Sequence, residues 1–136
     1  MAGTITVTMS GSDSERINGL LCANIAWETS ADGACSGTVS RVEGTIEKVV
    51  FYSNPASGEG KPEDNYDITL KDQDGVDVLG GAGADIDPDA AVTVLMTGDT
   101  PVLPIATAGL LTLEVLNAGG VSGMHTNGIV RVFFRR

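Results

Sequence analysis

The sequence is poor in aromatic and basic residues. Six aromatic side chains occur in 136 residues, and eight Lys and Arg residues stand against 18 Asp and Glu residues, for a formal net charge of −10. Such a surface repels phosphate groups instead of releasing their counterions, which disfavours nucleic acids and anionic membranes as partners. We therefore expect a protein that binds neither nucleic acid nor membrane.

Long apolar segments are also missing. The most apolar late stretch, residues 102–113, is interrupted by Pro104 and Gly109 and is too short to span a bilayer. The first eight residues lack the basic and apolar regions of a secretory signal, and no Asn-x-Ser/Thr site occurs. We expect synthesis in the cytoplasm, which favours reduced thiols at Cys22 and Cys35 over a disulfide.

Motifs for metal binding and catalysis are incomplete. Asp72, Asp74 and Asp77 have a spacing that superficially suggests a calcium loop, but glycine stands at the fourth and twelfth positions of such a loop. We interpret these acids as parts of a solvated turn and keep them only as weak metal candidates. The single histidine, His125, lies in a predicted loop, and the sequence has no Gly-x-Ser-x-Gly nucleophile motif. We expect no enzyme activity and no cofactor.

Glycine is abundant instead, at 18 residues, and apolar residues alternate with polar ones in short segments. A period of two predicts β-strands, and turn signals recur every 8 to 12 residues. We predict one domain over residues 1–136, all-β, with about eight or nine strands in an antiparallel two-sheet sandwich of jelly-roll type. The predicted strands are residues 4–10, 21–29, 37–42, 44–52, 66–71, 76–79, 91–97, 109–116 and 129–135, and residues 103–106 are a further candidate for a short edge strand.

The sequence also makes two specific structural predictions, one for a hairpin and one for the burial of a tryptophan. Residues 66–71 and 76–79 flank a turn at 72–75 with Gly75 in a favourable place, which predicts a β-hairpin. The only tryptophan, Trp27, lies on the apolar side of its strand and is predicted in the core.

Charge is unevenly distributed along the chain. Residues 59–89 contain ten carboxylates and two lysines, so they carry a net eight negative charges. Three of the eight basic residues are Arg131, Arg135 and Arg136, at the end of the sequence. This polarity suits self-association or docking onto a larger assembly.

The loop predicted over residues 53–65 is a second candidate for partner contact. It contains two prolines, two glycines and almost nothing apolar, and long exposed loops are often interaction elements. Together with the N-terminal strand and the basic last strand, it supplies the candidate contact surface. The candidate contact residues are Asn54, Pro55, Lys61, Pro62, Arg131, Arg135 and Arg136.

Three segments in the second half of the chain combine a hairpin pattern, a glycine-rich turn and two late strands. They are residues 65–85 (NYDITLKDQDGVDVLGGAGAD), 109–119 (GLLTLEVLNAG) and 128–134 (GIVRVFF). This combination resembles a family of small structural proteins of tailed bacteriophages. In size, acidity and strand number the chain is also similar to the jelly-roll cement proteins that clamp capsid shells.

The resemblance implies a non-enzymatic protein of the virion that binds and stabilises the shell of major capsid protein. Its partners would be the major capsid protein or other virion proteins, and the protein would be a homo-oligomer. A tail, neck or head-tail joining component is an alternative with the same composition. A carbohydrate-binding or receptor-binding β-sandwich module is the second alternative, although few aromatic residues are present to form its binding platform.

Overall fold

The computed structural model describes residues 3–10, 20–40, 42–53, 60–89, 92–95, 105–107, 110–119 and 125–135. Within these ranges all regular structure is β and no helix occurs, so the predicted all-β class is confirmed. The strands are β1 (Thr4–Ser10), β2 (Leu20–Glu28), β3 (Cys35–Val39), β4 (Gly44–Ser53), β5 (Asp67–Lys71), β6 (Val92–Leu95), β7 (Ile105–Thr107), β8 (Leu111–Leu116) and β9 (Asn127–Arg135).

The strands form two antiparallel sheets. Sheet A has the order β1-β2-β9-β4-β6, and β7 pairs with the first residues of β4. Sheet B has the order β3-β8-β5. The chain passes repeatedly from one sheet to the other, and the last strand, β9, is inserted between β2 and β4. Most pairings therefore join segments that are distant in the sequence.

Both sheets contribute side chains to one hydrophobic core. Alternation along β2 and β9 turns every second residue inward, as expected for strands with one covered face. Trp27 is buried as predicted, and its ring packs against that of Tyr66 with centroids 5.6 Å apart. The core side chains from the central strands include Ala23, Ile25, Trp27, Val130, Val132 and Phe134 of sheet A and Ile68, Leu70, Leu111, Leu113 and Val115 of sheet B.

A β-bulge in β4 changes which residues of that strand face the core. The pairing with β9 shifts register between Ile46 and Lys48, so that Glu47 is the extra residue. Because of this insertion, Ile46 and Val49 both point inward although they are three positions apart. The bulge places Lys48 and Tyr52 on the opposite face of the sheet.

The predicted hairpin is wrong in its second arm. The turn at residues 72–75 is present, with Gly75 at a φ of 80°, but residues 76–79 form no strand, and only Lys71 and Asp77 make an isolated bridge. Strand β5 pairs instead with β8. The physical reason is the carboxylate of Asp77, which accepts hydrogen bonds from the backbone N–H groups of Leu79 and Gly81 and curls the chain into turns.

The predicted strand at residues 37–42 is displaced toward the N-terminus, because β3 ends at Val39. A close approach between the sheets accounts for the composition of β3. A Cβ atom added to Gly37 would lie 2.7 Å from Cγ1 of Ile5, so a glycine is required where β1 crosses β3. Cys35 is buried and Cys22 is half-buried, and the structure shows no disulfide bond between them.

Candidate functional site

The most distinctive surface of the described chain is the side of sheet A that faces away from the core. We call it the outer face, and we define it by Lys48, Val50 and Tyr52 of β4, Ile129, Arg131 and Phe133 of β9, and the neighbouring Thr4, Thr6, Ala26 and Glu28 of β1 and β2. The antiparallel register sets Lys48 opposite Phe133, Val50 opposite Arg131, and Tyr52 opposite Ile129. Basic and aromatic side chains thus alternate across two adjacent strands.

Two cation–π contacts organise this face. The Nζ atom of Lys48 lies 4.3 Å from the centre of the Phe133 ring, and the guanidinium carbon of Arg131 lies 5.0 Å from the centre of the Tyr52 ring. Such contacts contribute about 0.5–1 kcal/mol each at exposed sites. They hold both cations close to the sheet surface, where the charges remain available to a partner.

Apolar surface is exposed next to these cations. Tyr52 and Ile129 are each 37% exposed, whereas Val50, although on the same face, is only 6% exposed. A shallow groove of about 510 Å³ runs beside Tyr52 and Ile129. It forms where the small side chain of Ala26 stands in register between Thr6 and Ile129.

A third cation lies at the end of the outer face. The Nε–H group of Arg135 donates to Oε1 of Glu47 at 2.8 Å. Glu47 reaches Arg135 because it is the extra residue of the β4 bulge. Of the predicted contact residues, Arg131 and Arg135 are therefore brought to one face of the sheet.

The remaining predicted contact residues lie elsewhere. Lys61 forms an ion pair with Asp89, and this hydrogen bond raises the pKa of the Lys61 ammonium. Pro62 is buried, and Gly60 accepts a hydrogen bond from the N–H group of Asn127 at 2.9 Å, so this end of the loop is anchored to the fold. Asn54, Pro55 and Arg136 lie outside the described residues.

An acidic edge lies beside β5 in sheet B. We define it by its exposed carboxylates, which are Glu63, Asp64, Asp74, Asp85, Asp87 and Asp89. The segment that carries three of the six, Asp85, Asp87 and Asp89, is held beside β5 by backbone hydrogen bonds. The N–H group of Ile68 donates to the Gly83 carbonyl at 2.7 Å, and that of Ile86 donates to the Tyr66 carbonyl at 2.8 Å. The acidic edge is therefore a preformed surface.

Two of the three weak metal candidates, Asp72 and Asp77, accept hydrogen bonds within turns, and Asp74 is exposed at the first of these turns. Oδ1 of Asp72 accepts the N–H groups of Asp74 and Val76, at 2.9 and 3.0 Å. The carboxylate of Asp77 accepts the backbone N–H groups of Leu70, Leu79 and Gly81. Among the residues that the structure describes, no group of three or more His, Cys, Asp or Glu side chains is placed to hold a metal ion.

The single histidine contacts the backbone of a distant residue. Nδ1–H of His125 donates to the carbonyl oxygen of Thr29 at 2.6 Å, and the imidazole is otherwise exposed.

In the described ranges, no helix has the length and apolar character needed to cross a membrane.

Sequence reasoning found part of the outer face and missed the rest. The alternation of the last strand already places Ile129, Arg131 and Phe133 on one side. Lys48 and Tyr52 were missed, because their position depends on a bulge and on a strand pairing across about 80 residues.

The sequence matches no protein-family model and no curated protein.

Proposed function

We propose that this chain is a non-enzymatic structural protein of a tailed-phage virion, which acts as a capsid cement or decoration protein on the shell of major capsid protein. The resemblance of residues 65–85, 109–119 and 128–134 to phage structural proteins supports this proposal. These segments correspond to β5 with its following turns, to β8 and to β9. They therefore belong to the framework of both sheets.

The observation that carries the proposal is the outer face of sheet A. Its exposed Tyr52 and Ile129 lie beside cations held over aromatic rings, and protein interfaces are enriched in Tyr, Phe and Arg. A surface of this composition fits a protein partner. In the virion we assign it to contact with a neighbouring protein of the particle.

We further propose that the two sheets form a jelly-roll-like sandwich. One core shared by both sheets supports a sandwich, and the repeated passage of the chain between the sheets supports a jelly-roll-like connectivity. A rigid scaffold of this kind suits a cement protein, because its surfaces are preorganised and little conformational entropy is lost on binding.

The physical mechanism is mass action at a repeated interface. A protein that binds the assembled shell, and not its separated subunits, stabilises the shell by the free energy of that binding. Icosahedral symmetry repeats one modest interface at every equivalent position of the lattice. Small binding energies per copy then give a large total effect on the particle.

Quantitative mass spectrometry of purified particles tests this role. We expect copies on the order of hundreds per particle, in a fixed ratio to the major capsid protein. On the order of six or twelve copies would instead favour the tail, neck or head-tail joining alternative. The absence of the chain from purified particles would overturn the virion role.

A further inference from the structure

We propose that the outer face of sheet A binds the acidic edge of a second copy of this chain, so that copies associate head to tail. The inference extends the proposed virion role by naming the occupant of the outer face. It is tested in solution with the purified chain alone, so it stands or falls separately from shell binding.

The first argument is charge complementarity between the two surfaces. Lys48, Arg131 and Arg135 lie on the outer face, and they are three of the five Lys and Arg residues that the structure describes. Arg135 is already paired with Glu47 and the face also carries Glu28, so Lys48 and Arg131 are the cations that the argument uses. The acidic edge gathers six exposed carboxylates, against which only Lys61 forms a described ion pair, with Asp89. Apposing these surfaces places unlike charges in contact and covers Tyr52 and Ile129.

The second argument concerns symmetry. Two outer faces packed against each other would bring Arg131 and Lys48 of one copy close to the same cations of the other, and like charges in apposition are unfavourable. Two acidic edges repel more strongly for the same reason. The favourable contact therefore joins unlike surfaces, and a heterologous contact of this kind forms a ring where the rotation closes and a filament where it does not.

The third argument is that both surfaces are preformed. The outer face is part of a continuous sheet, and Lys48 and Arg131 are already fixed over aromatic rings. The acidic edge is fixed to β5 by backbone hydrogen bonds, and Asp64, Asp87 and Asp89 line a surface pocket of about 360 Å³ there. Little ordering accompanies contact, which favours association.

The overall charge of −10 does not prevent this contact. At physiological ionic strength the Debye length is about 8 Å, so charges remote from the interface are largely screened from one another. Pairs in direct contact are screened much less. The local pairing of guanidinium and carboxylate groups therefore decides the interaction.

The test is the mass of the wild-type chain by analytical ultracentrifugation, compared with charge variants. We expect wild-type association, weakened at least about tenfold by Arg131→Glu and also by Lys48→Glu. Lys71→Glu is the matched control, because it changes the net charge by the same amount but adds its negative charge on β5, beside the acidic edge and not on the outer face. We expect Lys71→Glu to associate at least as strongly as the wild type. Circular dichroism checks that each variant is folded.

A mixing experiment tests the head-to-tail geometry. The edge variant Glu63→Lys/Asp64→Lys retains its outer face, and Arg131→Glu retains its acidic edge. Each alone should be largely monomeric at a concentration at which the wild type associates. An equimolar mixture should form a complex that contains both variants, through the intact outer face of the edge variant and the intact acidic edge of Arg131→Glu. A mixture that remains monomeric, although both variants are folded, would overturn the pairing of these two surfaces.

Two other outcomes also overturn the inference. A wild-type chain that stays monomeric up to about 100 μM would exclude a specific self-contact of useful strength. If that monomer still bound shells, and Arg131→Glu weakened the binding, the outer face would belong to a shell protein and the proposed virion role would remain. An equal effect of Arg131→Glu and Lys71→Glu on association would show that net charge acts alone.

Discussion

The side chain of Asp77 accepts a hydrogen bond from the backbone N–H group of Leu70, at 3.0 Å. In return, the N–H group of Val78 donates to the carbonyl oxygen of Leu70 at 2.7 Å. A carboxylate thus replaces the carbonyl that a neighbouring strand would supply at the free side of β5. The N–H and C=O groups of Leu70 at the edge of sheet B are thereby hydrogen-bonded within the protein. This limits the pairing of β5 with strands of other molecules, which is a hazard of open sheet edges.

Replacing Asp77 by alanine should destabilise the protein by about 2 kcal/mol, because three backbone N–H groups lose a charged acceptor. These groups belong to Leu70, Leu79 and Gly81. Asp74→Ala is the control, since its side chain is exposed at the neighbouring turn. Urea denaturation of both variants measures the difference. Equal stability of the two variants would show that the acceptor role of Asp77 is unimportant.

Sequence-based prediction of the fold succeeded for strands that follow a local period of two, and it failed at the segment that contains Asp77. Strand β1 was predicted with its observed bounds, and the inward side of β9 was predicted correctly, because both follow a local period of two. The strand at residues 76–79 was wrong because a side-chain hydrogen bond outcompeted the local β pattern. Val78 and Leu79 are buried by turns instead of a strand, whereas Val76 is exposed.

The candidate site shows the same division between local and distant information. Arg131 and Phe133 share one side of β9 by alternation alone. Their cation–π partners, Tyr52 and Lys48, are set by the register of β4 against β9 and by the bulge at Glu47. The bulge could not be predicted from the periodicity of the sequence. Consecutive apolar residues in β4 do not indicate which of them face the core and which face outward. The pairing is a property of the folded sheet.

Gly128 marks a position in β9 where no side chain fits. A Cβ atom there would lie 2.6 Å from Cζ2 of Trp27 and 2.6 Å from the carbonyl oxygen of Tyr52. Gly128→Ala should therefore destabilise the protein by about 2 kcal/mol or more, through overpacking against a buried ring and a backbone atom. Gly119→Ala is the matched control, because the nearest atom to its Cβ lies 3.7 Å away. Thermal denaturation of both variants checks the prediction, which fails if their melting temperatures fall equally.

Two buried threonines connect the end of β2 to the start of β9. The hydroxyl of Thr126 donates to the carbonyl oxygen of Ala118 at 2.7 Å, so its oxygen accepts from the hydroxyl of Thr29 at 2.9 Å. The oxygen of Thr29 accepts in turn from the N–H group of Thr126 at 3.0 Å. Both side chains are fully buried, so every polar atom in this network depends on the others.

Thr126→Val should cost about 2 kcal/mol, because it leaves the Ala118 carbonyl and the Thr29 hydroxyl without this partner in a buried site. Thr29→Val should have a similar effect, and the double variant should cost less than the sum of the two. Chemical denaturation in a double-mutant cycle measures this coupling, with the exposed Thr112→Val as control. Strict additivity would mean that the two hydroxyls act independently.

The buried thiol of Cys35 should make the protein less stable at alkaline pH. Burial raises the pKa of its thiol from 9.0 to about 11, because the thiolate is poorly solvated inside the protein. Between these values the unfolded chain releases the proton and the folded chain keeps it. The stabilising contribution is therefore complete below about pH 9 and is lost as the pH rises toward 11.

The free energy of unfolding should fall by roughly 1 kcal/mol between pH 8 and pH 10 from this group alone. The measurement is urea denaturation of the wild type and of Cys35→Ala at both pH values. Burial also raises the pKa of Tyr66, but that residue is common to both proteins and cancels in the difference. Since only the wild type carries the thiol, its stability should fall more steeply than that of Cys35→Ala. Parallel pH profiles would show that the Cys35 thiol is solvated in the folded protein.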